Sequence, residues 1–368
     1  MKHFTILIFA MVVGIITIVN LLLPPRSFSE FENRYLSQKP DFHWNDLISG
    51  RYTEKYESYV ADQFIFRNQW MGLKAFFEEA LLKKENNNII FGKKGYLFNK
   101  YLTLADNFFT NVETLNSFLQ IYKDQNIYVA IAPNSYTILE DLVPIGLYNV
   151  NQAKWLQWLK EELNLSDRRF IDLYQALKKH TNKYIYYRLD HHWTSTGAYY
   201  AYEAYSKEVG FLAVPLEKFT PKVIEDFYGT FYSAAKKKKG KADFIWYDPH
   251  LDANFYVDGV LKSSIYDLSF ADGRDKYAMF LHNNPSRASI KSHLNSKTDR
   301  KKLLVFKDSY ANSMIPFLTN HYAQIEIIDL RYYNGSIAAL MNESWDHILF
   351  LFNFISFSKD PYLVKLKY

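Results

Sequence analysis

The chain has 368 residues, close to half of them hydrophobic, enough to bury a large core as one big domain or as a domain with smaller parts. It contains no cysteine, which excludes disulfides, thiolate catalysis and cysteine-ligated metals. The formal charge of +5 falls to +3 without Lys2 and Arg26, too mild for a nucleic-acid surface, and no recognition-helix or RNA-binding signature accompanies it.

Phe4 to Leu23 is an uncharged run of 20 residues whose only polar members are Thr5, Thr17 and Asn20. At about 1.5 Å per residue a helix of that length spans a hydrocarbon core. No small-x-small cleavage site follows it, so the run reads as an uncleaved anchor occupying residues 1–26. The large cysteine-free remainder is expected outside the cell. Residues 27–110 read as a juxtamembrane connector and lead-in. Trp70, Met71, Leu73, Phe76, Phe77, Ala80, Leu81 and Leu82 recur at helical spacing within Asn68 to Lys84. Ile89 to Phe98, with Gly92 and Gly95, reads as a β-hairpin.

From Val112 the pattern becomes helix, strand, helix, and residues 111–368 read as one α/β domain. Ile127 to Ala132 and Phe170 to Leu173 are short strands, with helices at Val112 to Asp124, Gln152 to Leu163 and Leu173 to His180. Leu212 to Arg300 reads as a long irregular insertion that holds short Tyr/Phe-rich strand candidates. Strands then return at Leu303 to Phe306, Ile325 to Leu330 and His347 to Phe352, with helices at Ala311 to Leu318 and Ser336 to Asn342. Short apolar strands alternating with helices imply a parallel sheet covered on both faces.

The chemistry concentrates in Arg188-Leu189-Asp190-His191-His192-Trp193-Thr194-Ser195-Thr196-Gly197. On extended backbone, residues i and i+2 share a side, so Asp190 and His192 face one place and His191 points away. A carboxylate so placed holds an imidazole in one tautomer and suits it to act as a general base. Thr194 or Ser195 caps the following helix, Ala198 to Val209. A nucleophile must therefore come from elsewhere. Ser309 follows the strand Leu303 to Phe306 and opens a helix, where reactive groups of parallel sheets gather and where its own N–H suits an oxyanion. Taken singly, a satisfied loop histidine and an N-cap serine account for these residues; taken together, they favour a catalytic set.

Five segments resemble the DHHW protein family: Phe28-x-Glu30-x-Glu32-Asn33-Arg34, Asp62-Gln63-Phe64-x-Phe66-Arg67, Gly92-Lys93-Lys94-Gly95-Tyr96-Leu97, Asp190-His191-His192-Trp193, and Lys307-Asp308-Ser309-Tyr310-Ala311-Asn312 with Pro316-Phe317-Leu318. That family is similar to the SGNH-hydrolase-like alginate O-acetyltransferases. The resemblance implies a flavodoxin-type α/β sheet and a Ser-His-Asp triad of Ser309 as nucleophile, His192 as base and Asp190 as its orienter. It implies a domain tethered outside the cell that works beside a membrane-bound O-acyltransferase as acetyl donor. The acceptor would be a cell-surface or cell-wall polysaccharide, with no cofactor. A carbohydrate acetylesterase using the same residues, or a non-catalytic glycan-binding or assembly protein, are the alternatives.

Where family members carry a Gly-Asn-His-Pro-like turn, this chain has His282-Asn283-Asn284-Pro285, so Asn284 is the expected oxyanion amide. Tyr310, Asn134, Thr230 and Tyr232 complete the substrate and oxyanion candidates, the last two because Gly229 to Ser233 could shape an acceptor groove. Lys236 to Lys239 with Lys241 reads as a solvated charge run that could attract an anionic glycan. Adjacent histidines on extended backbone diverge, so no metal site is expected.

Overall fold

Eight segments line up as one sheet in the computed structural model of the chain, which describes residues 2–29, 34–163, 165, 169–235, 244–249, 252–293 and 301–367. In chain order these strands are β1 (Ile127–Ala132), β2 (Phe170–Ile171), β3 (Ala253–Val257), β4 (Val260–Lys262), β5 (Arg287–Ser292), β6 (Lys302–Lys307), β7 (Gln324–Ile328) and β8 (His347–Asn353). Their spatial order is β4-β3-β5-β7-β6-β8-β1-β2. The five strands from β7 to β2 run parallel, and β6 and β8 are buried on both faces as apolar runs, as helix-covered strands must be.

Face assignment follows from register. Phe306 is opposite Phe350, and the helix Asn107–Ile121 lays Phe118 against both rings. Tyr128, next along β1 from the partner of Phe350, points to the other face and meets Tyr205 of the helix Ser195–Val209. That helix is capped by Thr194, whose hydroxyl accepts from Gly197 N at 3.2 Å, and it ends at Gly210 in the left-handed region. Helices therefore cover both faces, and the fold is mixed α/β around a largely parallel sheet.

Two expectations change. The stretch 212–300 is not simply irregular: it supplies β3, β4 and β5, which extend the sheet in antiparallel pairing with β7. Their pattern is obscured because this extension leaves four of the five residues of β3, all three of β4 and four of the six of β5 exposed or half-exposed. The helix expected from Ala311 to Leu318 is a 3-10 turn, Ser309–Ser313, followed by one α turn, Ile315–Leu318. Pro316 has no N–H to donate to Asn312 O, so a continuous α-helix through this point would lack that bond, whereas Pro is tolerated in the first turn of a new one.

The chain divides into two compact units, Met1–Asn87 with Tyr232–Lys239, and Asn88–Phe231 with Gly240–Tyr368. The hairpin of Ile89–Phe91 with Leu97–Asn99 thus belongs to the α/β unit rather than to the lead-in. Leu97 N donates to Arg188 O at 2.8 Å, and Ile90 and Phe98 are buried in the main core. The smaller unit holds the apolar helix Lys2–Leu22, long and apolar enough to cross a membrane, and the helices Trp44–Ile48, Arg51–Gln63 and Arg67–Ala80. Its hub is Asp62, buried, which takes Arg34 Nη1 and Nη2 at 2.9 and 2.5 Å, Ser37 N at 2.8 Å and Arg67 Nη2 at 3.5 Å. These bonds explain why Arg34 and the Asp62–Arg67 segment occur together. Glu30, Glu32, Asn33 and the lysines 236–239 and 241 lie outside the described residues.

Candidate active site

Ser309 is the first residue after β6 and Asp308, at the carboxyl end of a central strand. Asp308 fixes the turn: Oδ1 accepts from Tyr310 N at 2.9 Å, and Oδ2 accepts from Asn353 N at the end of β8 at 2.8 Å. The Tyr310 amide is therefore spent, whereas the Ser309 amide heads the turn and is not used by its ladder. Beneath it, fully buried Lys307 Nζ reaches Asn312 Oδ1 (2.7 Å), Asn284 Oδ1 (3.2 Å) and Asp329 Oδ2 (3.4 Å). Burial lowers the Lys307 amine to about 8 against the pull of Asp329, which Arg331 also grips through two bonds of 2.8 and 2.6 Å.

Asp190 and His192 come from the turn 187–193, closed by Tyr187 N donating to His192 O at 3.2 Å and by the Tyr186–Trp193 bridge. Asp190 Oδ1 accepts from His192 Nδ1 at 2.6 Å and from His192 N at 3.0 Å. On the other side of the ring, His192 Nε2 is 2.8 Å from Ser309 Oγ. The bond to Asp190 places the ring proton on Nδ1 and leaves Nε2 as acceptor for the serine hydroxyl. Asp190 and His192 are buried, and Ser309 is half-buried.

The turn overrides the extended geometry read from sequence, and so corrects the placing of His191. Its ring does not point away: it lies against His192 with centroids 3.7 Å apart, and its Nδ1 meets Thr230 Oγ1 at 2.7 Å. Donor atoms of Asp190, His191 and His192 thus come within 4.8 Å of one another. Five donor atoms of these three residues are already engaged, by Thr230, by Ser309 or by the Asp190–His192 bond itself.

Charge follows burial. Burial pushes the Asp190 carboxyl up, but the charges and hydrogen bonds of His191 and His192 outweigh it and hold it well below the usual carboxylate range. Burial, and next the His191 charge, bring His192 down to about 4 despite Asp190. Burial opposes protonation of His191 as well, yet Asp190 raises it, and a third of its side chain remains open to water. Asp190 thus favours the charged form of His191, while burial favours the neutral ring of His192.

Residues that sequence reasoning proposed for substrate contact fall elsewhere. Thr230 braces the carboxylate, donating to Asp190 Oδ2 from N at 2.8 Å and from Oγ1 at 3.0 Å. Gly229 makes that approach possible, since a Cβ there would fall on the Asp190 carboxyl. Tyr310 is fully buried, with its hydroxyl donating to His191 O. Asn284 Oδ1 accepts from Lys307 and Asn312, and its Nδ2 donates to Asn283 Oδ1 at 3.0 Å. Asn134 precedes the turn Ser135–Ile138 and makes no side-chain capping bond to it, its N and Oδ1 being paired with Gln152 at 2.8 and 2.9 Å. Tyr232 belongs to the smaller unit.

Three neighbours make contacts that the sequence does not foretell, although Trp193 belongs to the Asp190-His191-His192-Trp193 motif itself. Tyr277 stacks on His192, and its hydroxyl lies 3.0 Å from both Ser309 O and Ser313 Oγ. Trp193 Nε1 donates to Tyr310 O at 3.0 Å and Ser313 Oγ at 2.9 Å, tying the histidine turn to the serine turn. Asn353 meets Asp308 from the next strand. In a chain with 30 Tyr and 29 Phe, Tyr277 does not stand out until its contacts are known.

A family model described as DHHW protein matches residues 86–328. Among solved structures, a DHHW family protein from Eubacterium siraeum DSM 15702 gives a TM-score of 0.65 at 24% identity, covering 77% of this chain and 96% of that one. Bacillus cereus PatB1 gives 0.61 at 19% identity, covering 76% and 99%. PatB1 with a sulfonyl adduct gives 0.62 at 18%, covering 75% and 96%. Among curated proteins, none matches this chain in sequence.

Proposed function

Because the chain belongs to the DHHW protein family, we propose that it is a membrane-anchored, extracytoplasmic O-acetyltransferase acting on a cell-surface or cell-wall polysaccharide. One observation carries this reading: the unbroken relay from Asp190 Oδ1 through His192 to Ser309 Oγ, with links of 2.6 and 2.8 Å. In it, Ser309 Oγ attacks the acyl carbonyl as its proton passes to His192 Nε2. The tetrahedral oxyanion is met by the Ser309 N–H, and collapse releases the donor's alcohol with the proton from His192. A glycan hydroxyl then gives its proton to His192 Nε2, attacks the acetyl-serine, and leaves as the ester with Ser309 regenerated. Asp190 stays ionised throughout, orienting the ring and stabilising the transient imidazolium.

The donor is an acetyl group delivered by a membrane-bound O-acyltransferase, and Lys2–Leu22 holds the domain beside it. Both points rest on the family resemblance and on the apolar helix. If water instead takes the acetyl group, the same residues make the protein an acetylesterase. The test is a sulfonyl fluoride, the reagent class suggested by the PatB1 adduct, combined with a radiolabelled acetyl ester donor and envelope glycan. Labelling that disappears in Ser309→Ala, with acetyl recovered on glycan, supports the reading. Label recovered only as acetate supports the esterase, and unchanged labelling in Ser309→Ala overturns both.

A further inference from the structure

The helix Arg67–Ala80 in the smaller unit wears its apolar side outward. Trp70, Leu73, Phe77 and Leu81 recur every three to four residues and so share one face, with Phe66 and Phe76 flanking it. All six are exposed, from 45% for Leu73 to 81% for Leu81. The buried face opposite is made of small residues, Gly72 and Ala75. An ordinary surface helix has the reverse arrangement, and a contiguous exposed apolar stripe marks a binding surface.

The start of this stripe is tied to the end of the apolar helix. Ile65 N, one residue before Phe66, donates to Asn20 Oδ1 at 2.9 Å, and Asn20 sits in the last turn of Lys2–Leu22. Gln63 adds a reciprocal pair with Arg26, accepting from Arg26 N at 2.8 Å and donating to Arg26 O at 2.9 Å. The stripe therefore begins at the level where the chain leaves the hydrocarbon. Trp and Phe favour that level, and Lys84 beside the stripe suits anionic headgroups, while Lys74 and Lys83 flank Glu78 at 3.9 and 2.8 Å.

We infer that Arg67–Ala80 is an interfacial helix, its Trp70-Leu73-Phe77-Leu81 face seated in the headgroup and acyl boundary of the bilayer that Lys2–Leu22 spans. The occupant of the stripe is lipid. This fixes the smaller unit to the membrane at two places instead of one, and it limits swivelling about residues 23–25. The inference rests on reading Lys2–Leu22 as a membrane span.

The absence of native cysteine allows a direct test on the full-length chain. Ile15→Cys, Leu73→Cys and Phe77→Cys variants are each labelled with an environment-sensitive fluorophore and reconstituted into phosphatidylethanolamine–phosphatidylglycerol vesicles. Ile15 is the reference for the span, and all three positions are exposed, so labelling leaves packing intact. The expected result is blue-shifted emission at positions 73 and 77, quenched by lipid doxyl-labelled near the headgroup. Water-like, unquenched emission at 73 and 77 with Ile15 quenched overturns the inference and leaves the span standing. An unquenched Ile15 removes the span, and the inference with it. Shielding at 73 and 77 that resists doxyl lipid and grows with protein-to-lipid ratio makes a second copy the occupant, and also overturns it.

Discussion

His192 and Tyr277 lie ring on ring, with centroids 3.6 Å apart and planes 6° from parallel. The stack closes one face of the imidazole to water, which favours the neutral ring, and it prevents rotation about the side-chain bonds. The Tyr277 hydroxyl meanwhile donates to Ser309 O, so one side chain sets both the His192 ring and the backbone of Ser309, the proposed base and nucleophile. Tyr277→Leu is expected to cut turnover of an acetyl ester roughly tenfold to a hundredfold, the cost of misplacing reacting groups by about 1 Å. Tyr277→Phe keeps the stack and should retain most of the activity while lowering stability by about 1 kcal/mol for the lost hydroxyl bond. Equal losses in the two variants, measured as kcat and as thermal unfolding, would remove the stacking argument.

His191 gives the acid limb of the pH profile a specific origin. The proposed reaction needs a neutral His192, whose pKa is lowered to about 4 first by burial and next by the adjoining His191 charge. Wild-type kcat/KM should therefore hold into mildly acidic solution. In His191→Gln the cation is gone, protonation of His192 becomes easier, and the acid limb should move to higher pH. A limb that stays put or moves lower in a kcat/KM titration contradicts the charge assignment.

Gly229 and Thr230 act on Asp190, and through it on the base. Gly229→Ala places a methyl on the carboxyl and should reduce kcat by about a hundredfold with KM little changed. Thr230→Val removes one of two bonds to Asp190 Oδ2 and keeps the N–H, so a loss nearer tenfold is expected. A change in KM alone would instead return these positions to the acceptor groove. Circular dichroism of both variants checks that the fold survives.

In the lead-in, Asp62→Asn breaks the bidentate grip on Arg34. The Arg34 bond is the largest influence holding the Asp62 carboxyl far below its usual range, so the pair stabilises at neutral pH and is lost only in strong acid. With Arg34 two-fifths exposed, the loss should be about 1–3 kcal/mol. Limited proteolysis should then cut within 34–67 faster than in the wild-type chain. Unchanged cleavage would mean that the helices hold without this hub.

Much of the architecture is readable in the sequence because each parallel strand is a short apolar run between amphipathic helices, a pattern dictated by burial on both faces. The antiparallel extension is legible only as short Tyr/Phe-rich strand candidates without a place in the sheet: β3 to β5 are half-solvated, and strands such as Arg287–Ser292 interleave charge with apolar residues. The serine and the Asp-x-His are legible because local turn chemistry places them. His191 is misread because a tight turn, not extended backbone, carries it. Thr230 and Tyr277 reach the site from 40 and 85 positions beyond Asp190 and His192, contacts that no local pattern encodes.

The central claim is that Ser309 becomes acylated with His192 as its base. Intact mass spectrometry followed by peptide mapping, after brief mixing with an activated acetyl ester, tests it most directly. The account predicts one acetyl group on Ser309, formed slowly in Asp190→Asn and not at all in His192→Ala. Acetyl on another residue, or acylation of Ser309 at an unchanged rate in His192→Ala, would contradict it.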